Sequence, residues 1–418
     1  MQLFEKLLEY GEALRLVMQN TRPLPACETP LIEARGLALA GDLRARFDSP
    51  PFDNSAVDGY AVRSADAEAG RVFKVVDEAP AGRPAARGVG EGEAVKIFTG
   101  GVIPEGADAV VMVENTSGWG ETFELKKAAA PGQNVRTSGE DARRGEVILR
   151  SGTVVGPPEV ALAATQGYGS LPVHRRPEVV VLSTGSELVE PGTRELSPGE
   201  IYDSNSYALV AQSLEVGVRA RRLYAASDDA ARIHAAVEEA LEGADVVITS
   251  GGVSVGEKDL VKGTMQNLGV EQVFWGVKFK PGKPMFFGVR GETRVFGLPG
   301  NPVSAMVCFE LFVRPALLRM MGREDTRPRV LVYFEEDVRN RFGRMHAMRV
   351  TLERTESGWL ARSVGAQGSG LVSSLTKADA LALIGPESEG VRAGEPVEAI
   401  VLREERLFGA EDGGPMVE

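Results

Sequence analysis

The sequence predicts a multidomain α/β plus β protein. It has an N-terminal helical linking region with a β-rich insertion, an α/β domain with a mostly parallel sheet, and a C-terminal small β-barrel or sandwich. Three observations carry this expectation. The 418 residues suffice for about three or four domains. Between 177 and 326, short apolar runs alternate with helix-spaced stretches closed by glycine. After Gly322 the apolar period changes to two.

Leu3, Leu7, Tyr10, Leu14 and Val17 follow helical spacing, and Pro23 and Pro25 end that pattern. Residues 26–50 read as a second, shorter helix and its connections. From Pro50 onward, 71–76, 95–98 and 109–114 read as short strands among Gly and Pro, so 51–135 form the insertion. Residues 136–176 add a short strand and helix and rejoin 1–50 as the linking region. In the α/β domain (177–326), strands are expected at 178–183, 218–224, 244–249 and 294–298. Helices fall between them, closed by Gly217, Gly243 and Gly269, and a last helix runs from Pro302 to about Met321 with a kink at Pro315. Strand, helix and strand in succession imply parallel pairing, with ligands at the carboxyl ends of the strands. Residues 327–404 alternate as a β domain, and 405–418 are a tail.

Composition narrows the chemistry. The formal charge is −12, so nucleic acid and anionic membranes are not expected partners. Cys27 and Cys308 cannot form a disulfide framework or a four-thiolate zinc site. His174, His234 and His346 are scattered without metal-ligand spacing and read as structural or surface residues. No apolar run approaches the ~18 residues of a membrane span, and the acidic, amphipathic start is unlike a signal peptide. The expected location is the cytoplasm.

The turns after the α/β strands carry the chemistry. Ser183–Glu187, Ser250–Asp259 and Gly297–Pro302 all fall at strand carboxyl ends, so they converge on one crevice. Ser250–Gly256 is a glycine-rich loop before a helix, suited to turning N–H groups toward an anion, or simply a tight turn capped by Ser250 or Ser254. It lacks the Gly-Lys-Ser/Thr of a P-loop. Lys280-Pro281-Gly282-Lys283-Pro284 presets two ammonium groups on a stiff turn leading toward the last strand. Asn301-Pro302 reads as an N-cap followed by proline at the first helical position. Glu187 and Asp259 lie in strand-end turns, Asp228 begins a helix, and Asp58 and Asp141 lie far off in the insertion and linking region. Carboxylates beside lysines suit Mg²⁺ and phosphate together.

At these residues the chain resembles the MoeA / gephyrin E-domain family, the molybdopterin molybdenumtransferases. The resemblance rests on PPFDNSAVDGYAVR (50–63), IFTGGVIPEGADAVVMVE (97–114), GQNVRTSGEDARRGE (132–146), STGSEL (183–188), TSGGVSVGEKD (249–259), FKPGKP (279–284), GLPGNPVSA (297–305) and GAQGSGLVSSLTKADAL (365–381). It spans nearly the whole chain. It implies an elongated homodimer whose crevice lies between the α/β domain of one subunit and the insertion of the other. The implied reaction takes adenylylated molybdopterin and molybdate, inserts molybdenum at the dithiolene, and cleaves the pyrophosphate with Mg²⁺ to release AMP.

Carried over by motif, Asp58, Asp141, Glu187, Asp228, Asp259 and Lys280 are the implied catalytic residues, with Glu187, Asp228 and Asp259 as the Mg²⁺ set. Arg136, Lys280 and Lys283 would meet phosphate or molybdate. Ser250, Gly251, Gly252, Ser254 and Gly256 would cradle the pterin-phosphate end. Pro299 and Pro302 would shape the wall, and Ser304 and Arg349 an oxyanion pocket. Some members carry a further lysine where this chain has Gly276, with Lys278 nearby. Fixed cations beside a dianionic oxyanion and a pyrophosphate are what the reaction requires. Two other readings remain open at this point. One is the related molybdopterin adenylyltransferase, itself a possible partner, whose glycine loop normally continues Gly-Gly-Thr-Gly where this chain has Gly251-Gly252-Val253-Ser254. The other is a non-catalytic scaffold.

Overall fold

The computed structural model of the protein describes residues 7–225, 229–251, 260–340, 343–387 and 389–407. By contact they form two units. One comprises Glu28–Arg35 and Leu39–Val173; the other comprises the chain up to Cys27, Gly36–Ala38 and everything from His174 onward.

The first helix, α1, is Tyr10–Gln19. It starts later than the spacing from Leu3 predicts, because the backbone of Leu8 is engaged in a bridge with Val277. Leu8 accepts from the N–H of Lys278 at 2.8 Å. The helix expected within 26–50 does not form. Ala26–Pro30 is a strand, turns follow, and Leu43–Arg44 pairs with Val147–Leu149. The physical reason is where the backbone donors go: Leu39 N–H donates to Thr153 O and Ala40 N–H to Pro172 O, both at 2.9 Å, and Ala45 N–H to Glu146 O at 2.8 Å, so these groups are engaged with distant segments and not with a helical turn.

The unit around Leu39–Val173 is built on five strands: β1 Gly59–Val62, β2 Val72–Ala79, β3 Glu93–Ile97, β4 Ala109–Met112 and β5 Thr122–Glu124, in the order β4-β1-β3-β2-β5. Alternation along β1 fills both faces. Tyr60 and Val62 pack with Phe73, Val111 and Phe123 on one side, and Ala61 packs with Val95, Ile97 and Val110 on the other. Helix α2, Pro157–Thr165, starts with proline at its first position, and the Glu159 carboxylate accepts from the Gly156 N–H at 2.8 Å.

In the other unit, β6 Glu178–Thr184, β7 Arg219–Ala225, β8 Val246–Ser250, β9 Glu271–Trp275, β11 Phe286–Arg290 and β12 Thr293–Leu298 make one sheet in the order β7-β6-β8-β12-β11-β9. The first four strands in that order are parallel; β11 and β9 extend the sheet antiparallel. Those two strands are absent from the sequence reading. The lysine turn therefore leads into β11, not directly into β12. Helices α3 Asn205–Val216, α4 Ala230–Leu241 and α5 Leu260–Asn267 fall where expected, and Gly217 takes the left-handed conformation that stops α3. The last helix runs as α6 Pro302–Cys308, a π-helical turn Phe309–Val313, and α7 Arg314–Met320. The widened turn lies immediately ahead of Pro315, which has no N–H to continue the regular pattern.

The two-residue strand β10, Phe279–Lys280, pairs with β14, Met345–Thr355, of the C-terminal domain. There β13 Arg329–Phe334, β14, β15 Gly358–Ser363, β16 Ala380–Ile384 and β17 Pro396–Val401 close into a ring around Val332, Met348, Val350, Ala382 and Ala399. The domain is thus a barrel.

Gly59 tests how tightly the five-stranded sheet is packed. A Cβ there would overlap the carbonyl oxygen of Val111, whereas Gly70, in a turn of the same unit, has open space around it. Gly59→Ala should destabilise this unit by about 3 kcal/mol or more, and Gly70→Ala by only about 1–2 kcal/mol through its positive φ. Urea unfolding with limited proteolysis of the unit will separate the two.

Candidate active site

Register decides what the strand ends bring together. Ser183 is level with Ser250 and Ser250 with Leu298. Because β11 runs antiparallel, its first residue Phe286 is level with Gly297. The turn 280–284 that precedes β11 therefore reaches the same edge as Gly185, Gly251 and Pro299.

At this edge Asn205, at the start of α3, donates through Nδ2 to Ser250 Oγ and to Gly300 O, both at 2.7 Å. One side chain thereby ties the turn after β8 to the turn after β12. Sequence reading missed it. Its Oδ1 is buried without a hydrogen-bond partner among the described residues. Gly251 has a φ of 85° and donates to Leu298 O at 3.1 Å. Glu187 folds its carboxylate over Gly185, where a Cβ would come within 2.5 Å of Oε2. Gly185 has a φ of 146°, a backbone conformation that favours glycine. Asn301 takes the N-cap position of α6 without a side-chain capping bond, and Pro302 follows at the first position. Ser304 is buried in that turn.

The cations come from two directions. Lys280 is half-buried and Lys283 exposed. Burial, with the neighbouring charges of Arg349 and then Arg344, lowers the Lys280 pKa. Arg349, on β14, is fully buried. Its Nη2 approaches Gly368 O at 3.4 Å, and its backbone N–H donates to Gln367 Oε1 at 3.0 Å. Its Nε and Nη1 have no partner among the described residues. The same loop touches α6, since Val303 N–H donates to Ser369 O at 3.1 Å. Arg349, the loop 367–369 and the first turn of α6 are thus joined. His346 is level with Lys280 across the β10–β14 pairing and is nearly buried. Burial first, then Lys280 and Arg349, lowers its pKa to about 4, so it is neutral at pH 7.

Gly276 has a φ of 85°, and a Cβ there would come within 2.5 Å of Leu7. Lys278 binds Glu9 at 2.6 Å. The ammonium of Lys278 is therefore engaged at the start of α1.

Asp58, Arg136 and Asp141 lie in the other unit. Asp58 Oδ1 accepts from the backbone N–H of Thr99 at 2.7 Å and from its hydroxyl at 2.8 Å. The N–H, then the hydroxyl, hold the carboxyl below its usual pKa. Thr99 is a second residue the sequence reading missed, although it lies inside a quoted motif. Arg136 is level with Asn54 in a short antiparallel ladder, and Asp141 N–H donates to Ser49 O at 2.9 Å. Gly100 donates to Ser55 O and Ser55 to Gly101 O. The three motifs 50–63, 97–114 and 132–146 are therefore laced into one strip. Asp228, Gly252, Ser254, Gly256 and Asp259 lie outside the described residues. The helix cap attributed to Asp228 is made by Asp229, whose carboxylate accepts from Arg232 N–H at 3.0 Å. Among the described residues no three His, Cys, Asp or Glu side chains gather as a metal site.

The lysine turn depends on one tight contact. Gly282 has a φ of 129°, and a Cβ there would overlap the Cys308 sulfur of α6. Gly282→Ala should cost about 1–3 kcal/mol and displace both lysines. Cys308→Ala should restore part of that loss, so the double variant will be more stable than the sum of the two singles predicts. Thermal unfolding of the four proteins measures this.

Comparison with known proteins agrees with this architecture. Three family models match in order: the MoeA N-terminal region (domain I and II) at 8–167, a "Probable molybdopterin binding domain" at 180–319, and the MoeA C-terminal region (domain IV) at 332–402. Molybdopterin molybdenumtransferase 2 of Mycobacterium tuberculosis is 40% identical over 324 residues, 75% of this chain and 80% of its own length. Molybdopterin molybdenumtransferase of Bacillus subtilis is 38% identical over 379 residues, 88% of this chain and 87% of its own length. Two crystal structures of molybdopterin biosynthesis MoeA protein from Pyrococcus horikoshii are similar at 34% identity, with TM-scores of 0.82 and 0.76, each over 95% of this chain and 99% and 100% of theirs. With three domains matched in sequence and relatives at this identity over most of its length, the chain belongs to the MoeA family.

Proposed function

We propose that this protein inserts molybdenum in molybdenum cofactor biosynthesis. It would transfer molybdate to the dithiolene of adenylylated molybdopterin and release AMP. The observation that carries the reading is the buried guanidinium of Arg349, with two N–H donors unpartnered among the described residues, close to Lys280. A buried charge is costly unless paired. A dianionic oxyanion accepts several hydrogen bonds and relieves the repulsion between the two cations. The molybdenumtransferase names of relatives over most of the chain support the same conclusion.

In this reading Arg349 and Lys280 hold molybdate, and Lys283, exposed on the same turn, meets the phosphates. The Asn205–Ser250–Gly300 clasp fixes the two turns that face the pterin end. As the dithiolene binds, two thiol protons leave with one molybdate oxygen as water, and one water adds to phosphorus as the phosphoanhydride P–O bond breaks, leaving AMP and the pterin monophosphate. Neutral His346 adds no further positive charge beside Lys280. Mg²⁺ would be held by Glu187 with Asp228 and Asp259. The Glu187 carboxylate, seated over Gly185, offers the hard oxygen donors that Mg²⁺ prefers, and the metal when bound neutralises phosphate charge. Asp58, Arg136 and Asp141 would complete the site from the second subunit of a homodimer. The described residues include no helix long and apolar enough to cross a membrane. We place the reaction in the cytoplasm, next to the adenylyltransferase that supplies the substrate.

Purified protein given adenylylated molybdopterin, molybdate and Mg²⁺ should release AMP without ATP and yield molybdenum-loaded pterin. Excess chelator should stop release, and added Mg²⁺ should restore it. Absence of AMP release would remove the reading. Sharing between subunits has its own test. Asp58→Ala and Glu187→Ala dimers should each be nearly inactive. Subunit exchange between them should restore up to about a quarter of wild-type activity, because half the dimers are mixed and each has one intact site. Verified exchange without recovery would exclude shared sites.

A further inference from the structure

The segment 365–381 has no task in the reaction above, yet its first turn lies against Arg349. The side chain of Gln367 makes two hydrogen bonds to the backbone of that residue. Its Oε1 accepts from Arg349 N–H and its Nε2 donates to Arg349 O, both at 3.0 Å. Nε2 also donates to Ser363 Oγ at 3.2 Å, and Gly365 N–H donates to the same hydroxyl oxygen at 3.2 Å. Register explains why a side chain is wanted there. β15 pairs with β14 from Gly358 opposite Thr355 to Ser363 opposite Val350, and the pairing ends one residue short of Arg349. Val364 N–H still reaches Arg349 O at 3.3 Å, but the chain then turns away through Gly365, whose φ is 99°. The Arg349 N–H is left without a strand to bond, in a residue that is fully buried. A buried N–H needs a partner. A carboxamide carries the same acceptor and donor pair as a peptide group. Gln367 thus continues the ladder by one rung where β15 stops.

The clasp bears on the guanidinium from both ends. Gly368 O, one residue beyond Gln367, lies 3.4 Å from Arg349 Nη2. Ser369 O, one further, accepts from Val303 N–H of α6 at 3.1 Å. One side chain therefore fixes the backbone from which the guanidinium extends and the loop that touches its tip and α6. Nε and Nη1 have no partner among the described residues. Their aim is then set by that backbone and that loop. Hydrogen bonds weaken steeply as donor and acceptor fall out of line, so a small shift of β14 at this residue is felt by whatever the guanidinium binds.

We propose that Gln367 is a positioning residue for oxyanion binding: its carboxamide stands in for a missing strand, sets the backbone of Arg349, and so aims the guanidinium. The proposal rests on the reading of Arg349 as a molybdate ligand. In this role Gln367 acts only through Arg349.

The test is equilibrium molybdate binding and steady-state AMP release by the full-length protein. The proteins compared are wild type, Gln367→Met, Gln367→Asn, Arg349→Met, and the double variant that combines Gln367→Met with Arg349→Met. Methionine fills the space without the amide, and asparagine keeps the amide but falls one methylene short. Both should weaken molybdate binding about ten-fold and raise the KM for molybdate to match. The kcat at saturating molybdate and the KM for adenylylated molybdopterin should stay within about two-fold, because the grip on one ligand is altered and not the chemistry. In the Arg349→Met background, Gln367→Met should cost nothing further, since the group it aims is gone. Val332→Ala, a cavity in the barrel core, controls for stability: it should lower the unfolding midpoint and leave the KM for molybdate unchanged. Wild-type molybdate affinity in both Gln367 variants would overturn the proposal. So would a full further loss on top of Arg349→Met, or an equal rise in KM in Val332→Ala. Loss of molybdate binding in Arg349→Met with none in the Gln367 variants removes the positioning role and leaves the Arg349 reading standing. Undiminished binding in Arg349→Met removes that reading, and the positioning role with it. The two failures are thereby told apart.

Discussion

The short parallel pairing of Phe279–Lys280 with Met345–His346 is the interaction on which the site of the α/β unit depends. It joins a turn of the α/β sheet to the second strand of the barrel. It fixes the backbone of Lys280 three residues along the ladder from Arg349. Without it, Lys280 would be a loop lysine and Arg349 a barrel residue with no common purpose. With it, two cations are held close together, and burial first, then Lys280 and Arg349, hold the His346 pKa low. The aromatic packing of Tyr10 against Phe279 and Phe312, at 6.0 and 5.3 Å, braces the same strand from α1.

Such an arrangement opposes the general field. The chain carries a formal charge of −12, yet this corner concentrates positive charge and buries part of it. A fully buried guanidinium with two nitrogens unpartnered among the described residues stores a desolvation cost that an oxyanion can offset. A glycine of the neighbourhood serves the same end by admitting close approach: Gly282 against Cys308.

Much of this was legible in the sequence. The parallel strands 178–184, 246–250 and 293–298, buried on both faces, stand out as apolar runs, and the half-exposed edge strand 219–225 is placed by the glycine that stops the helix before it. The antiparallel strands 271–275 and 286–290 escaped, since short aromatic runs beside Gly and Pro carry no alternation that separates them from a loop. The helix expected within 26–50 failed because Ala34, Leu37, Ala38 and Leu39 cluster as they would on a helix face, while the backbone N–H groups of Leu39, Ala40 and Ala45 bond to Thr153, Pro172 and Glu146. Candidate carboxylates and lysines stood out through motif and turn chemistry. Asn205, Thr99 and His346 did not, because their importance lies in what they reach across the fold: Ser250 and Gly300, Asp58, and Lys280. No spacing in the chain announces contacts 40 to 100 residues apart.

The account stands or falls on the buried guanidinium as an oxyanion ligand. The direct measurement is molybdate binding at equilibrium, without pterin, to wild type and to Arg349→Met, with the barrel's integrity followed by its unfolding midpoint. Methionine fills the space and removes the charge. Losing hydrogen bonds from a charged donor corresponds to roughly ten- to a hundredfold in affinity. The account predicts a loss of that size in a variant whose fold is at least as stable as the wild type, because a buried unpaired charge has been removed. Molybdate bound equally well by Arg349→Met would contradict it.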